Sequence, residues 1–285
     1  MLNQWFYAHK TWQIGTVVDL TIVAVLLLGL FAFHRWVAWE HREHDTAMVG
    51  LSYALCGSVY AVILALVAGN TFETMEKSKS IASEEANSLT ALIFDSAGLD
   101  PATAAQVRRQ SDSYLDVVTR KEWPLQRAYK MEAANFEEGW SILRRISVDL
   151  AGFEPKSQGQ ATVKLEMEHD INDLFTARRM RLLAASQHVP GAVWTMLIFG
   201  LGMVAVYIYL FGPHSFKIHV AVTVLTALSV GFVFTLVIAE DYPFRGIVSV
   251  DSDDYVAVKE VAEHVLNGKT MEAPSDRANT ETSDR

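Results

Sequence analysis

Histidine is unevenly distributed in this chain: five of its nine histidines fall in two short stretches. These are His34, His41, His44, His214 and His219, and the first three are accompanied by Glu40, Glu43 and Asp45. Histidine changes its charge between about pH 5 and 8, and histidine with carboxylates binds zinc and similar metals. The pattern is consistent with a proton or metal sensor in which His41 and His44 are metal ligands. The alternative is that histidine is tolerated among polar residues at a membrane interface.

Asp19 is a single carboxylate within an otherwise apolar stretch. A charged group at depth in a membrane is costly and is a functional-site hypothesis by default. Asp19 lies about five residues inside the stretch, where a water defect or a partner hydroxyl can still reach it. It is therefore either a functional intramembrane charge or a partly solvated carboxylate near a helix start.

Two small charge clusters flank the apolar segments. Arg178, Arg179 and Arg181 stand about one turn before the third segment, where a basic collar would bind anionic lipid headgroups. Asp251, Asp253 and Asp254 follow the fourth segment, where acidic residues at a helix start act as N-cap and dipole partners.

The sequence carries no motif of a known catalytic class. It has no phosphate-binding glycine loop, no HExxH and no GxSxG motif. Cys56 is the only cysteine, so the chain cannot form an internal disulfide. The net charge of -9 excludes a typical nucleic-acid binder. We predict that the protein is not an enzyme and needs no cofactor.

Four apolar blocks must position these side chains. They occupy residues 14–33, 49–70, 189–211 and 216–239, and each is close to the roughly 20 residues that cross a bilayer. Backbone groups in lipid must be satisfied within the segment, so each block is predicted to be a helix. The mean hydropathy of +0.16 then reflects two populations, four spans and a polar remainder. Lysine and arginine near the span ends predict cytoplasmic N- and C-termini in the inner membrane.

The remainder is predicted to be helical. Ile81, Ala82, Ala86, Leu89, Leu92 and Ile93 recur at three- and four-residue spacing, so the second span should continue into a stalk with one buried face. Gly98 is expected to end this helix as a left-handed cap, and Asp100-Pro101 to start the next one. Trp123-Pro124 is expected to break or kink the chain.

We therefore predict an all-α, four-span membrane protein with a helical cytoplasmic domain built on extensions of the second and third spans. Residues 1–70 carry the first two spans, residues 71–188 the cytoplasmic domain and residues 189–240 the last two spans. Residues 241–267 form a cytoplasmic turn and helix. Residues 268–285 have almost no large apolar residue and are predicted to be disordered.

Several short motifs resemble one family. They are Glu85-Ala86-Asn87-Ser88-Leu89, Tyr114, Glu122-Trp123-Pro124, Arg181-Leu182, Val189-Pro190, Val193-Trp194 and Asp241-Tyr242-Pro243-Phe244-Arg245-Gly246. Their order and spacing around four spans resemble the bestrophin-like family of bacterial membrane proteins, over roughly residues 15 to 260. The family is named for a distant likeness to bestrophins, which are oligomeric anion channels with four spans per subunit.

The resemblance implies a ring-shaped homo-oligomer, a pentamer by analogy, with a central pore for small ions, anions among them. It also raises the idea of calcium binding at Asp251, Asp253 and Asp254, because bestrophins carry an acidic calcium-binding stretch at a comparable place. Calcium prefers six to eight oxygen ligands. In a channel, the arginines at 178, 179 and 181 could instead attract anions to the cytoplasmic mouth.

In bestrophins the second span lines the pore. The resemblance therefore suggests that one stripe along the helix predicted over residues 49–74 lines a pore here. The stripe consists of Ser52, Cys56, Tyr60, Ile63, Val67, Asn70 and Thr74. It is polar near both ends and apolar in the middle, so Ile63 and Val67 could form a hydrophobic constriction. The alternative is that these residues pack against neighbouring helices. For the whole protein, the alternative to a channel is a non-conducting sensor or scaffold whose cytoplasmic helices recruit a partner.

Overall fold

The structure, a computed structural model, describes residues 11–36, 46–210, 215–246 and 248–267. Within these ranges the chain is helical and contains no β-strand. The helices are α1 (Thr11–Trp36), α2 (Thr46–Asp95), α3 (Pro101–Val117), α4 (Trp123–Arg127), α5 (Glu137–Ala151), α6 (Gln158–Ala185), α7 (Gly191–Leu210), α8 (Phe216–Glu240) and α9 (Asp253–Asn267). The predicted disordered tail at 268–285, His41, His44 and His214 lie outside the described residues.

Four of these helices are long and apolar enough to cross a membrane. They cover Trp12–Trp36, Met48–Gly98, Gly191–Leu210 and Phe216–Glu240. The all-α, four-span architecture expected from the four apolar blocks is confirmed. The chain forms two compact units, which we call the membrane unit (residues 1–78 with 184–250) and the helical unit (residues 79–183 with 251–285).

The membrane unit is held together by apolar packing and by side chains that bond to helix backbone. Ile14, Val18, Tyr60, Leu64, Leu197, Val204, Ile208 and Phe234 form its main core. Tyr209 donates its hydroxyl to the carbonyl of Leu26 at 2.9 Å, and Nε2 of the buried His219 lies 2.8 Å from the carbonyl of Ile208. Such contacts satisfy polar groups within the apolar layer, where an unpaired group costs several kcal/mol.

The helical unit is built on the far half of α2, which is continuous from Thr46 to Asp95. The six apolar stalk residues from Ile81 to Ile93 are all buried, as their spacing predicted. Asp100 caps α3 by accepting from the N–H of Ala102 at 3.1 Å and of Thr103 at 3.3 Å. The predicted N-cap is thereby confirmed.

Two local predictions at chain turns are wrong. Gly98 is not a left-handed cap, because Gly246 is the only glycine with positive φ among the described residues. Gly98 is needed for packing instead: a Cβ there would lie 2.7 Å from a methyl carbon of Val163. The chain also does not break at Trp123-Pro124. A π-helical turn over Val118–Glu122 leads directly into α4, so the proline sits in a first helical turn, where its missing N–H is tolerated.

The extension of the third span is a separate helix. α6 ends at Ala185, and five residues that include Pro190 precede the start of α7 at Gly191. Proline lacks the N–H that a continuous helix would need here. The second span and its extension therefore form one helix, whereas the third span and its extension form two.

Candidate functional site

Two arginines and two glutamates lie completely buried in the helical unit. Arg178, Arg181, Glu85 and Glu122 have no exposed side-chain surface. Arg178 donates to both oxygens of Glu122, at 2.6 and 2.9 Å. Arg181 donates through Nε to Glu85 at 2.6 Å and through Nη2 to Glu122 at 2.9 Å. Arg181 thus bridges both carboxylates, and the four charges sum to zero.

Three segments of the chain supply these four groups. Glu85 comes from α2 and Glu122 from the last position of the π-helical turn, while Arg178 and Arg181 come from α6. Three-residue spacing on a helix places the two arginines on the same face. Gly139 of α5 leaves room for them: a Cβ there would lie 2.6 Å from both Cζ of Arg178 and Oε1 of Glu122.

Aromatic residues complete the surroundings of the four charges. Tyr114 donates its hydroxyl to Glu85 at 2.6 Å and accepts from Arg178 at 3.2 Å. The Arg178 guanidinium lies 4.9 Å from the ring centre of Trp140, and that of Arg181 lies 5.4 Å from the ring centre of Trp123. Nε of Arg178 and Nη1 of Arg181 have no hydrogen-bond partner among the described residues. The aromatic faces therefore give cation–π stabilisation where hydrogen bonds are missing.

The protonation states of Tyr114 and Arg181 are fixed by their surroundings. Burial raises the pKa of Tyr114 well above its usual value, and the negative charge of Glu85 adds to the rise. Burial lowers the pKa of Arg181, but Glu85, Tyr255 and Glu122 outweigh this effect and hold it well above the usual value. The tyrosine stays neutral and the arginine charged at any physiological pH. Neither side chain changes its charge in that range, which favours a structural role for the cluster.

The buried cluster corrects the predicted lipid or anion collar. Arg178 and Arg181 have no exposed surface and face carboxylates of their own unit, so neither can contact lipid headgroups or ions in solution. Only Arg179, which is exposed, retains that possibility. Three arginines within four positions before a span are typical of a basic surface. The sequence does not reveal the buried pairs, because Glu122 lies 56 residues from Arg178 and Glu85 lies 96 residues from Arg181.

The residues of the predicted pore stripe lie in different surroundings in the structure. Tyr60 is buried, donates its hydroxyl to the carbonyl of Leu197 at 2.9 Å and lies against Gly200. It is therefore a packing residue between α2 and α7, and its assignment to a pore wall is wrong. Cys56 and Ile63 border an apolar groove of about 470 Å³ beside α7. Val67, Asn70 and Thr74 border a second, mixed cavity of about 530 Å³. Ser52 is half-buried and borders neither of these two cavities.

Asp19 points inward, toward α8. Its Oδ1 is buried, has no hydrogen-bond partner among the described residues and lies where a Cβ of Gly231 would be. This oxygen therefore occupies a notch at Gly231 in the neighbouring helix, while the residue as a whole is half-buried.

The calcium site at Asp251, Asp253 and Asp254 stays a prediction, and the structure gives these side chains other roles. Asp251 pairs with Arg127 at 3.1 Å, Asp254 accepts a hydrogen bond from Ser83, and Asp253 is exposed. No group of three or more histidine, cysteine or acidic side chains suited to a metal occurs in the described part of the chain. The histidine prediction for His41 and His44 stays a prediction, whereas His219 belongs to the packed core of the membrane unit.

Two acidic side chains of the helical unit lie close together without a local pattern in the sequence. The carboxyl groups of Asp95, the last residue of α2, and Asp170 of α6 are near enough to interact electrostatically. Burial raises the pKa of Asp170 to about 6, and the charge of Asp95 adds to the rise. The two positions are 75 residues apart (170 minus 95), so no local pattern in the sequence marked them.

Comparison with solved structures defines the class of protein. Two variants of a bacterial bestrophin homologue from Klebsiella pneumoniae match with TM-scores of 0.61 and 0.60. They are 12% and 14% identical, cover 90% and 89% of this chain, and are themselves 99% covered. A third structure, described as a membrane protein, matches at TM-score 0.59 and 12% identity over 89% of this chain and 97% of its own. None of the curated proteins compared with the chain matches significantly.

These likenesses show that the chain has the bestrophin fold. The bestrophin-like domain model matches residues 20–255, which is most of the chain. The protein belongs to the bestrophin-like family. The resemblance recognised in the short motifs is thus confirmed, and the buried cluster accounts for four of the quoted residues, namely Glu85, Tyr114, Glu122 and Arg181.

Removing Arg181 should cost more stability than removing Arg178. Arg181→Gln leaves Glu85 without a cation, and breaking a buried pair in this way costs about 3–5 kcal/mol. Arg178→Gln leaves Glu122 paired with Arg181, so we expect a loss of about 1–3 kcal/mol. Arg179→Gln, the exposed neighbour, is the control and should change stability by no more than ~0.5 kcal/mol. Urea unfolding of the purified protein in detergent measures all three, and equal losses for Arg178 and Arg179 would contradict the assignment.

The acidic pair predicts a specific pH dependence of stability. The pKa of Asp170 is higher in the folded protein than in the unfolded chain, so its stabilising contribution is present below about pH 4 and lost as the pH rises through about 6. Asp170→Asn removes this titration and should flatten the fall in thermal midpoint between about pH 4 and 6. Asp173→Asn, one turn away and exposed, should retain most of the slope. An unchanged slope in the Asp170 variant would show that another group titrates.

The contact between Asp19 and Gly231 predicts that the effect of a substitution at one position depends on the residue at the other. Gly231→Ala places a Cβ against the carboxylate of Asp19 and should destabilise the protein by about 1–3 kcal/mol, as overpacking does. In an Asp19→Ala background the same substitution should lose most of this penalty, with a remainder because a Cβ would still lie 3.3 Å from the Cα of residue 19. Gly202→Ala, where a Cβ meets nothing within 4 Å, should be neutral or slightly stabilising. Thermal unfolding in detergent tests the set, and a penalty that is undiminished without the carboxylate would contradict this geometry.

Proposed function

We propose that the protein forms a ring-shaped homo-oligomer that conducts small ions along an axis lined by α2. The proposal rests on how little of the second span is buried by the rest of its own chain. In the most apolar stretch of this span only 11% is buried, against 17%, 22% and 33% in the first, third and fourth spans. A helix that its own subunit leaves uncovered is suited to face other copies and a shared axis.

One face of α2 suits this role better than the stripe chosen from sequence. Ala54, Ser58, Ala61, Ala65 and Gly69 are all exposed and recur at three- and four-residue spacing, on the side of the helix away from Tyr60. Small side chains allow transmembrane helices to approach closely and leave space for ions and water along an axis. We propose this small-residue face as the pore wall. Ile63 and Asn70, the exposed members of the original stripe, border it.

The domain boundaries and orientation from the sequence complete the proposal. We propose that residues 71–188 and 241–267 are cytoplasmic, with both termini on that side of the bacterial inner membrane. The excess of lysine and arginine at those span ends supports this orientation. Arg179 is proposed to contact anionic headgroups, since it is the one exposed member of its arginine cluster. Anions are the ions that the likeness to bestrophins favours.

The channel proposal is tested with single cysteines, because Cys56 is the only native cysteine. In a Cys56→Ser background, Ala65→Cys and Gly69→Cys should allow a charged, water-soluble thiol reagent to reduce bilayer currents by about half or more. The expected cause is a bulky charge placed in the ion path. Particle images of the same preparation should show a closed ring with an axial cavity.

Two control positions make the test specific. Phe232→Cys on α8 is 72% exposed on a different span and should leave the current unchanged after labelling. Asn70→Cys reports on the original stripe, and block at Asn70 alone would return the pore to that stripe. A ring without any current would instead favour a non-conducting sensor or scaffold, and a dimer would contradict the proposal.

A further inference from the structure

A cavity of about 530 Å³ lies in the membrane unit where the polar end of the second span meets residues 186–193 and the end of the fourth span. Its volume is in the range of small-molecule sites. Part of the lining is apolar and includes Val67 and Val193. The rest offers hydrogen-bonding side chains, among them Asn70 and Thr74, and two carboxylates, Glu240 and Asp241.

Asp241 is held in a fixed position at this cavity. Its Oδ1 accepts the backbone N–H of Val189 at 2.6 Å, and its carboxylate also accepts from the side chain of Trp194. Burial raises the pKa of Asp241, and the Val189 N–H counters that rise. Both hydrogen-bond donors are neutral, so they orient the carboxylate without cancelling its charge, and the nearby His188 imidazole adds an electrostatic lowering of the pKa of Asp241. In contrast, Glu85 and Glu122 in the helical unit are each bonded to a guanidinium.

The lining selects among positively charged ligands. The residues that border this cavity include two carboxylates, one imidazole (His188) and no lysine or arginine, so acidic side chains outnumber basic ones and the lining favours a cation. Quaternary ammonium ions are recognised by aromatic cages, but no phenylalanine, tyrosine or tryptophan borders the cavity. The acceptors suit N–H donors, and charge-assisted hydrogen bonds are the strong ones. A bare metal ion fits poorly, because the described residues contain no group of three metal-binding side chains.

We propose that this cavity binds a primary ammonium group attached to a short apolar chain. The ammonium donates to Asp241 and Glu240, and the chain lies along Val67 and Val193. The site is independent of ion conduction, since it requires only the membrane unit of one subunit.

The direct test is isothermal titration of the purified full chain in detergent with hexylammonium. We expect it to bind about tenfold more tightly than 1-hexanol, which has the same chain without the charge. Hexyltrimethylammonium and hexanoate should bind no better than hexanol. Equal affinities for hexylammonium and hexanol, or tighter binding of hexanoate, would overturn the proposal without any variant being needed.

Variants locate the charge that is recognised. Asp241→Asn keeps an acceptor for Val189 and, with Glu240→Gln, should weaken hexylammonium binding by about tenfold while leaving hexanol binding unchanged. Glu73→Gln, an exposed acid on the same stretch of α2 outside the cavity, should leave both affinities within about twofold. Equal weakening by Glu73→Gln would show that the cation responds only to general surface charge and would overturn the site.

The ammonium group could be that of a soluble amine or of a lipid headgroup. Titration in nanodiscs of phosphatidylcholine with and without phosphatidylethanolamine separates these sources. If phosphatidylethanolamine reduces the apparent affinity for hexylammonium in the wild type but not in Glu240→Gln, the headgroup occupies the site. If it has no effect in either, the natural ligand is a soluble amine.

Discussion

The bridge from Arg181 to Glu85 and Glu122 is the interaction on which the helical unit depends. Burying an ion costs several kcal/mol unless its partners are placed with good geometry. Each segment that supplies a charged group must hold it in that geometry. The positions of α2, the π-helical turn and α6 relative to one another are therefore constrained. Gly139 and the two tryptophans belong to the same requirement, because the guanidinium groups need space on one side and an aromatic face on the other. A buried polar centre of this kind favours a single arrangement of helices even where it adds little net stability.

The π-helical turn shows how the backbone adapts to this centre. Pro124 cannot donate a backbone hydrogen bond, and a regular helix through this region would place a carbonyl against its ring. The widened turn over Val118–Glu122 relieves that conflict while the chain remains helical. It also ends on Glu122, the carboxylate that both arginines share. Wide turns of this type occur frequently at functional positions, and here the position is a buried charge centre.

Features that depend on residues close together in the sequence could be predicted, whereas features that depend on distant residues could not. Apolar periodicity is local, so it identified the four spans and the buried face from Ile81 to Ile93. Charge pairing at long separation leaves no local pattern, which is why Arg178 and Arg181 were interpreted as a surface collar. Tyr60 was misassigned for a related reason: polarity along a helix does not reveal whether a hydroxyl is satisfied by the carbonyl of Leu197. The short motifs carried the missing information, since Glu85, Tyr114, Glu122 and Arg181 all occur in them.

The buried carboxylates of the two units differ in the charge of their hydrogen-bond donors, and this difference matters for function. In the helical unit each carboxylate of the central cluster bonds to a guanidinium, so the cluster is electrically complete and has no capacity for a ligand. At the cavity of the membrane unit, Asp241 is oriented by a backbone N–H and an indole, which are neutral donors. Neutral donors fix direction but leave the charge of a carboxylate to be balanced from elsewhere. A site of the first kind holds a fold together, whereas a site of the second kind keeps an attraction for a mobile cation. The distinction rests on the chemistry of the donors and not on the number of acids, which is two in both places.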